Sequence, residues 1–99
     1  MEKMYMVSLC YGRGLLGGAL YLDDERVTYR TTKLQAPPEI RNMPLPYCRI
    51  RRIEKSRAMF LPTVTIEMED GRERKFLVFG RNSFLTDMKT AMDAYAAGE

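Results

Sequence analysis

Gly18-Ala-Leu-Tyr-Leu-Asp-Asp-Glu-Arg-Val-Thr-Tyr-Arg30 holds two short runs of alternating apolar residues on either side of an acidic turn, Asp23-Asp24-Glu25. Alternation with a period of two, broken by turn residues, is the pattern of a β-hairpin. On its first arm Leu20 and Leu22 share one side of the pleat with Tyr21 opposite. On its second arm Val27 and Tyr29 share a side, with Arg26, Thr28 and Arg30 opposite. One face is expected to be buried and the other wetter.

Upstream, Met4 to Tyr11 is dense in strand-favouring residues. The glycines at 12, 14, 17 and 18 then predict a loop or bulged connection. Downstream, Pro37, Pro38, Pro44 and Pro46 remove donors and fix φ, so Thr31 to Pro46 reads as one long connection, pinned to the core by Ile40 and Met43. Tyr47 to Lys55 reads as a strand. Its Ile50 and Ile53 are three apart and cannot both face inward on a regular pleat, which predicts a β-bulge near Arg51-Arg52.

The second hairpin is the clearer one. Val64, Ile66 and Met68 alternate with Thr65, Glu67 and Glu69, and Asp70-Gly71 turns the chain into Lys75-Phe-Leu-Val-Phe79. A three-residue loop with glycine in the left-handed position sets even-numbered residues opposite one another and brings Phe76 and Val78 to the core face. Leu77 and Phe79 then lie on the other face and need a cover. Phe84, Leu85, Met88, Ala91, Met92 and Tyr95 recur at helical spacing, with Asn82 or Ser83 to cap the start and Gly98 to end the helix. The fold class that follows is α+β, mainly β: antiparallel hairpins closed by one C-terminal helix.

Ninety-nine residues suffice for one domain, 1–99, and not for two. No apolar run reaches membrane-spanning length, and Met1-Glu-Lys-Met-Tyr-Met carries charge too early for a secretory signal, so a cytoplasmic location is expected. Cys10 and Cys48, isolated within apolar-patterned runs, read as reduced, buried structural thiols. The absence of histidine removes the usual general base and the commonest metal ligand. No cofactor and no enzymatic activity are expected.

Two motifs invite functional readings. Gly12-Arg-Gly-Leu-Leu-Gly17 matches the spacing of a dinucleotide-binding loop, but a strand hairpin follows where that chemistry needs a helix N-terminus. What survives is an exposed loop whose amides and Arg13 hold an anion. The other is Arg49-Ile-Arg-Arg-Ile-Glu-Lys-Ser-Arg57, where Arg49, Arg51, Arg52, Lys55 and Arg57 stand against a single Glu54, with Arg72, Arg74 and Lys75 as a second basic group. Side by side, the groups would form a face for lipid headgroups. The plainer reading is a solvated, edge-protecting surface, with Glu67, Glu69 and Glu73 near enough to neutralise it. Aromatic interleaving is too thin for nucleic acid. Three consecutive acids at the first turn read as a solvated turn in preference to a cation site.

In order and spacing the chain resembles GRAM and bacterial pleckstrin-homology-like domains. The shared features are Gly18-x-Leu20-Tyr21-Leu22, Arg26-Val27-x-Tyr29, Pro44-Leu45-x-Tyr47-x-x-Ile50-x-x-Ile53, Val64-x-Ile66 and Asp70-Gly71 leading into Lys75-Phe76, then a helix. The resemblance implies a β-sandwich or partly open barrel of six or seven antiparallel strands capped by the helix. It also implies an adaptor role, since such domains often bind phosphoinositides, membranes or proteins. Their lipid pocket draws on basic residues in the first strand and loop, where Arg13 is the only basic residue between Gly12 and Gly18. The expectation is a non-enzymatic interaction module that binds a protein or its own copy through apolar residues without a home, Phe60, Leu61, Leu77 and Phe79. The alternative is peripheral binding to anionic membrane through the basic strand.

Overall fold

A computed structural model describes residues 3–12, 14–58 and 61–98, with only the backbone of Arg57 and Ala58. The quoted hairpin forms as β2 (Gly14–Leu22) and β3 (Arg26–Arg30), with Leu20 opposite Tyr29 and Leu22 opposite Val27. Asp23 shapes the turn: its Oδ1 accepts the amides of Glu25 at 2.8 Å and Arg26 at 2.9 Å. Thr28, expected on the wetter side, is buried as well.

The glycine-rich segment is strand, not loop. β1 (Lys3–Tyr11) pairs with β2 along its whole length, from Lys3 opposite Leu22 to Tyr11 opposite Gly14, and Gly12 turns the chain at φ 60°. Continuous pairing with β1 overrides the low strand propensity of glycines 14, 17 and 18.

The proline-rich connection also contains structure that the sequence hid. A short helix α1 (Pro38–Arg41) leads into β4 (Asn42–Pro46), which pairs with β3 and places Met43 opposite Tyr29 and Leu45 opposite Val27. β4 is an edge strand, and an edge needs donors on one side only, so Pro44 and Pro46 are tolerated there. Ile40 and Met43 are buried, as expected.

After a 3₁₀ turn at Tyr47–Arg49 come β5 (Ile50–Ala58), β6 (Leu61–Met68) and β7 (Glu73–Leu77). The β5–β6 register shifts between Ile50 and Arg52, the expected bulge, and Ile50 and Ile53 both reach the core side. In the next hairpin Met68 N bonds Arg72 O at 2.8 Å around Glu69-Asp70-Gly71, with Gly71 at φ 90°, so even-numbered residues face each other as expected.

All seven strands join one antiparallel sheet in the order β4-β3-β2-β1-β7-β6-β5. The edges are consecutive in sequence, and the three residues between β4 and β5 reach no more than about 10 Å. Laid flat, six inter-strand gaps would separate those edges by roughly 29 Å. The sheet therefore curls into a half-barrel whose edges meet at one corner. Tyr47 N to Glu25 O (3.0 Å) and Glu69 N to Arg49 O (2.8 Å) tie that corner.

Helix α2 (Arg81–Ala97) packs on the inner face with Phe84 and Met88 buried, flanked by Leu85, Ala91, Met92 and Tyr95. It starts at Gly80 without a side-chain cap, so neither Asn82 nor Ser83 serves, and it ends at Gly98. Arg81 instead anchors the start, its Nη1 donating to Ser56 O at 2.8 Å. Within the core, Tyr29 lies against Phe76 and donates to Leu16 O at 2.6 Å, which satisfies its buried hydroxyl. Both thiols are free; Cys10 is half-buried and Cys48 exposed, against the expectation of two buried cysteines.

Candidate functional site

Pleating divides the sheet into an inner face under α2 and an outer face on the opposite side. On the outer face β1 presents Met4, Met6, Ser8 and Cys10, and their register partners on β2 are Tyr21, Ala19, Gly17 and Leu15. Met4 is 53% and Met6 70% exposed. Ser8 and Thr63 both stand opposite Leu77, and Val78 N still bonds Pro62 O at 3.0 Å beyond the end of β7. Phe79, in the turn just past β7, is 74% exposed, and Leu61, at the start of β6, is 38% exposed. Four large apolar side chains, from three separate segments of the chain, are thus left exposed on neighbouring strands or at their ends.

Of the expected apolar contacts, Leu61 and Phe79 are exposed and Phe60 lies outside the described residues. Leu77 is 6% exposed, which corrects its reading as an uncovered residue. It sits in the middle of the sheet between its partners on β1 and β6, whereas Phe79 lies past the strand end.

The basic strand does not form one face. Arg52 donates to Glu67 Oε1 at 2.6 Å and pairs with Glu54 at 2.9 Å, while Arg51 approaches Glu67 at 3.7 Å. Lys55 stands opposite Val64, on the other side of the pleat from Arg52. The side chain of Arg57 and the whole of Arg13 lie outside what is described. Arg49 turns the other way and joins Arg72 and Arg74 around a cavity of about 210 Å³ beside β4 that Glu69 and Asp70 also line. Arg72 is within 3.5 Å of Asp70 there.

A cavity of about 410 Å³ lies between α2 and the β2–β3 turn, with Lys3, Asp23, Asp24 and Asp87 in its wall. Asp87 accepts from Tyr5 Oη and from Lys3 Nζ at 3.1 Å, and these hydrogen bonds hold its carboxyl below the usual range. Burial, then the Asp87 hydrogen bond, pushes Tyr5 up to about 12. The Tyr47 hydroxyl donates to Asp23 O at 2.8 Å and is raised to about 12, by burial first and then by Asp23 and Asp24. These carboxylates have structural work already, and no group of metal-ligating side chains is found among the described residues.

Among solved structures the chain is similar to the C-terminal domain of an unknown protein from Leishmania infantum, with a TM-score of 0.77 at 13% identity over 91% of this chain and 81% of that one. The likeness is one of fold. No known family's sequence profile matches the chain, and no curated protein is detectably related to it. No helix among the described residues is long and apolar enough to cross a membrane.

Sequence reasoning missed Met4 and Met6, which were read only as part of a segment dense in strand-favouring residues. It also missed a depression on the outer face between Met6, Gly17, Ala19 and Tyr21 on one side and Arg30, Lys33 and Arg41 on the other, about 730 Å³ in volume. The residues of its cationic wall come from β3, the 31–37 loop and α1, which only the folded chain brings together.

Proposed function

We propose that this chain is a non-enzymatic interaction module of the GRAM and pleckstrin-homology-like type, acting in the cytoplasm by holding another protein against the outer face of its sheet. The observation that carries the reading is a set of large apolar side chains left exposed, Met4 and Met6 on β1, Leu61 at the start of β6 and Phe79 just past β7, on or beside strands that neighbour one another in the sheet. Exposed contiguous apolar surface is a mark of interaction sites, and methionine adapts its shape to a partner at little strain. A photo-reactive phenylalanine analogue at Phe79 tests it, with Glu54 as the control position on the same face. The expected result is one or a few discrete adducts from Phe79, lost on Met6→Ser; an adduct of the purified chain with itself identifies a second copy as the partner. Equal, diffuse labelling from both positions would rule the reading out.

A second reading, peripheral contact with anionic lipid headgroups, is supported by the convergence of Arg49, Arg72 and Arg74. It has a narrower base, because Arg51 and Arg52 are already engaged by Glu67 and Glu54. It requires salt-sensitive co-sedimentation with acidic liposomes, lost on Arg49→Gln with Arg74→Gln.

A further inference from the structure

We propose that the depression on the outer face receives an acidic, partly apolar segment of the partner protein. The proposal rests on the reading of that face as a docking surface, and it names the partner's chemistry. Three observations carry it.

The first is charge. Arg30, Lys33 and Arg41 line the depression, no carboxylate does, and none of the three has an ion-pair partner among the described residues. Arg30 is held ready: Nε donates to Asn42 Oδ1 at 3.2 Å and the guanidinium lies 5.3 Å over the ring of Tyr21, which leaves both terminal nitrogens unengaged. Arg41 Nε is shielded from solvent with no acceptor. Buried donors without acceptors are uncommon in folded proteins; Arg81 Nε at the start of α2 is the other one found among the described residues, and Arg41 is the one that lines the depression.

The second is the floor. Gly17 lies in a strand, faces outward, and a Cβ built on it would meet nothing within 4 Å. Its neighbour Gly18 is required, since a Cβ there would lie 2.4 Å from Arg30 O and 2.8 Å from the Tyr29 ring. Gly17 has no such packing reason and no left-handed φ. With no side chain there, the floor of the depression stays open to close approach by another chain.

The third is shape. The cations stand on the β3 side, whereas the opposite wall runs into the exposed Met6 on β1, the strand next to β7. From β3 to β7 is three inter-strand gaps, about 14 Å, the length of roughly four extended residues. A segment with acids at one end and apolar side chains at the other matches that polarity. A bilayer surface is flat and does not reach the floor of a concavity, so a peptide fits the geometry better than a membrane.

The full chain is panned against a displayed random-peptide library, and the selected peptides are then measured by fluorescence anisotropy. The expected result is enrichment of Asp or Glu beside Leu, Phe or Tyr, with binding that weakens as salt rises. Arg41→Gln and Lys33→Glu each cost about tenfold in affinity, and Gly17→Phe abolishes binding while leaving the circular dichroism spectrum and thermal midpoint intact. Enrichment of basic or uncharged peptides, no enrichment, or unchanged binding to Gly17→Phe overturns the proposal. So does a preference for phosphatidylserine vesicles over the selected peptides through the same cations. Peptides that are apolar without acids, lost on Met4→Ser and Phe79→Ser but kept by Arg41→Gln, overturn this inference and leave the docking reading standing. Failure of the Phe79 adduct alongside acidic-peptide binding that needs Arg41 and Gly17 does the reverse.

Discussion

Gly17 and Gly18 are adjacent and have opposite consequences. Gly18→Ala forces a methyl group against a backbone carbonyl that has nowhere to go, and we expect it to lower unfolding free energy by about 2 kcal/mol or more. Gly17→Ala, in open space, is expected to raise it by about 0.5 kcal/mol through reduced chain entropy in the unfolded state. Urea titration of the two variants checks both signs. The tyrosines set the alkaline limit. Tyr5 and Tyr47 hold their protons to about 12 in the folded chain against 10.0 unperturbed, so their contribution is complete below pH 10 and is lost as pH rises toward 12. Tyr47→Phe should flatten that alkaline decline in a series of denaturation curves. Asp87 works in the opposite direction. Its folded pKa is depressed, so its contribution is present above the unperturbed 3.8 and disappears as pH falls below it; Asp87→Asn should remove that part of the acid sensitivity.

At the scale of elements, the second hairpin was legible because each local rule agreed: clean alternation, an Asp-Gly turn, and a loop length that brings Phe76 into the core. Gly71→Ala tests the left-handed turn, with an expected loss of about 1 kcal/mol in urea denaturation. The C-terminal helix was legible from its apolar period, and Phe84→Ala, which empties a fully buried site against the Tyr5 ring 5.3 Å away, should cost about 3–5 kcal/mol. β4 and the first half of β2 were not legible. Prolines 44 and 46 and glycines 14, 17 and 18 speak locally against a strand, and only pairing with β3 and with β1 overrides them. The outer edge of that glycine-rich half-strand is closed by side chains: Tyr29 Oη donates to Leu16 O and Thr31 Oγ1 to Gly17 O at 2.7 Å. Those hydroxyls occupy carbonyls that would otherwise template pairing with another chain.

For the whole molecule, fold class followed from the order of hairpins and helix, while the candidate site followed from nothing local. Met6, Leu61 and Phe79 are brought to neighbouring strands or their ends only by the order of the sheet, and the cationic wall is assembled only through the path of the 31–37 loop. The basic run after Tyr47 was conspicuous in sequence because it is continuous there, yet the bulge at Ile50/Arg52 and the carboxylates of Glu67 and Glu54 break it up in space. Because Met4 and Met6 are exposed and lie outside the core, Met4→Ser combined with Met6→Ser should leave unfolding free energy within about 0.5 kcal/mol of the parent chain while abolishing the adduct formed from the photo-reactive analogue at Phe79. Equilibrium denaturation and cross-linking on one preparation separate the two effects.

The sheet is a union of two meanders, β1–β4 and β5–β7, joined through Ser8 opposite Leu77 and Leu9 opposite Phe76. Each meander draws its pairings from nearby residues, whereas this junction brings together positions from nearly opposite ends of the chain. Loop-closure entropy therefore predicts an order of formation, with local hairpins early and closure of the β1–β7 seam as the slow event, to be checked by stopped-flow refolding and unfolding of variants on either side of the seam. Mutations at Leu9 and Phe76 should accordingly retard refolding, while changes at the β6–β7 loop act mainly on the rate of unfolding.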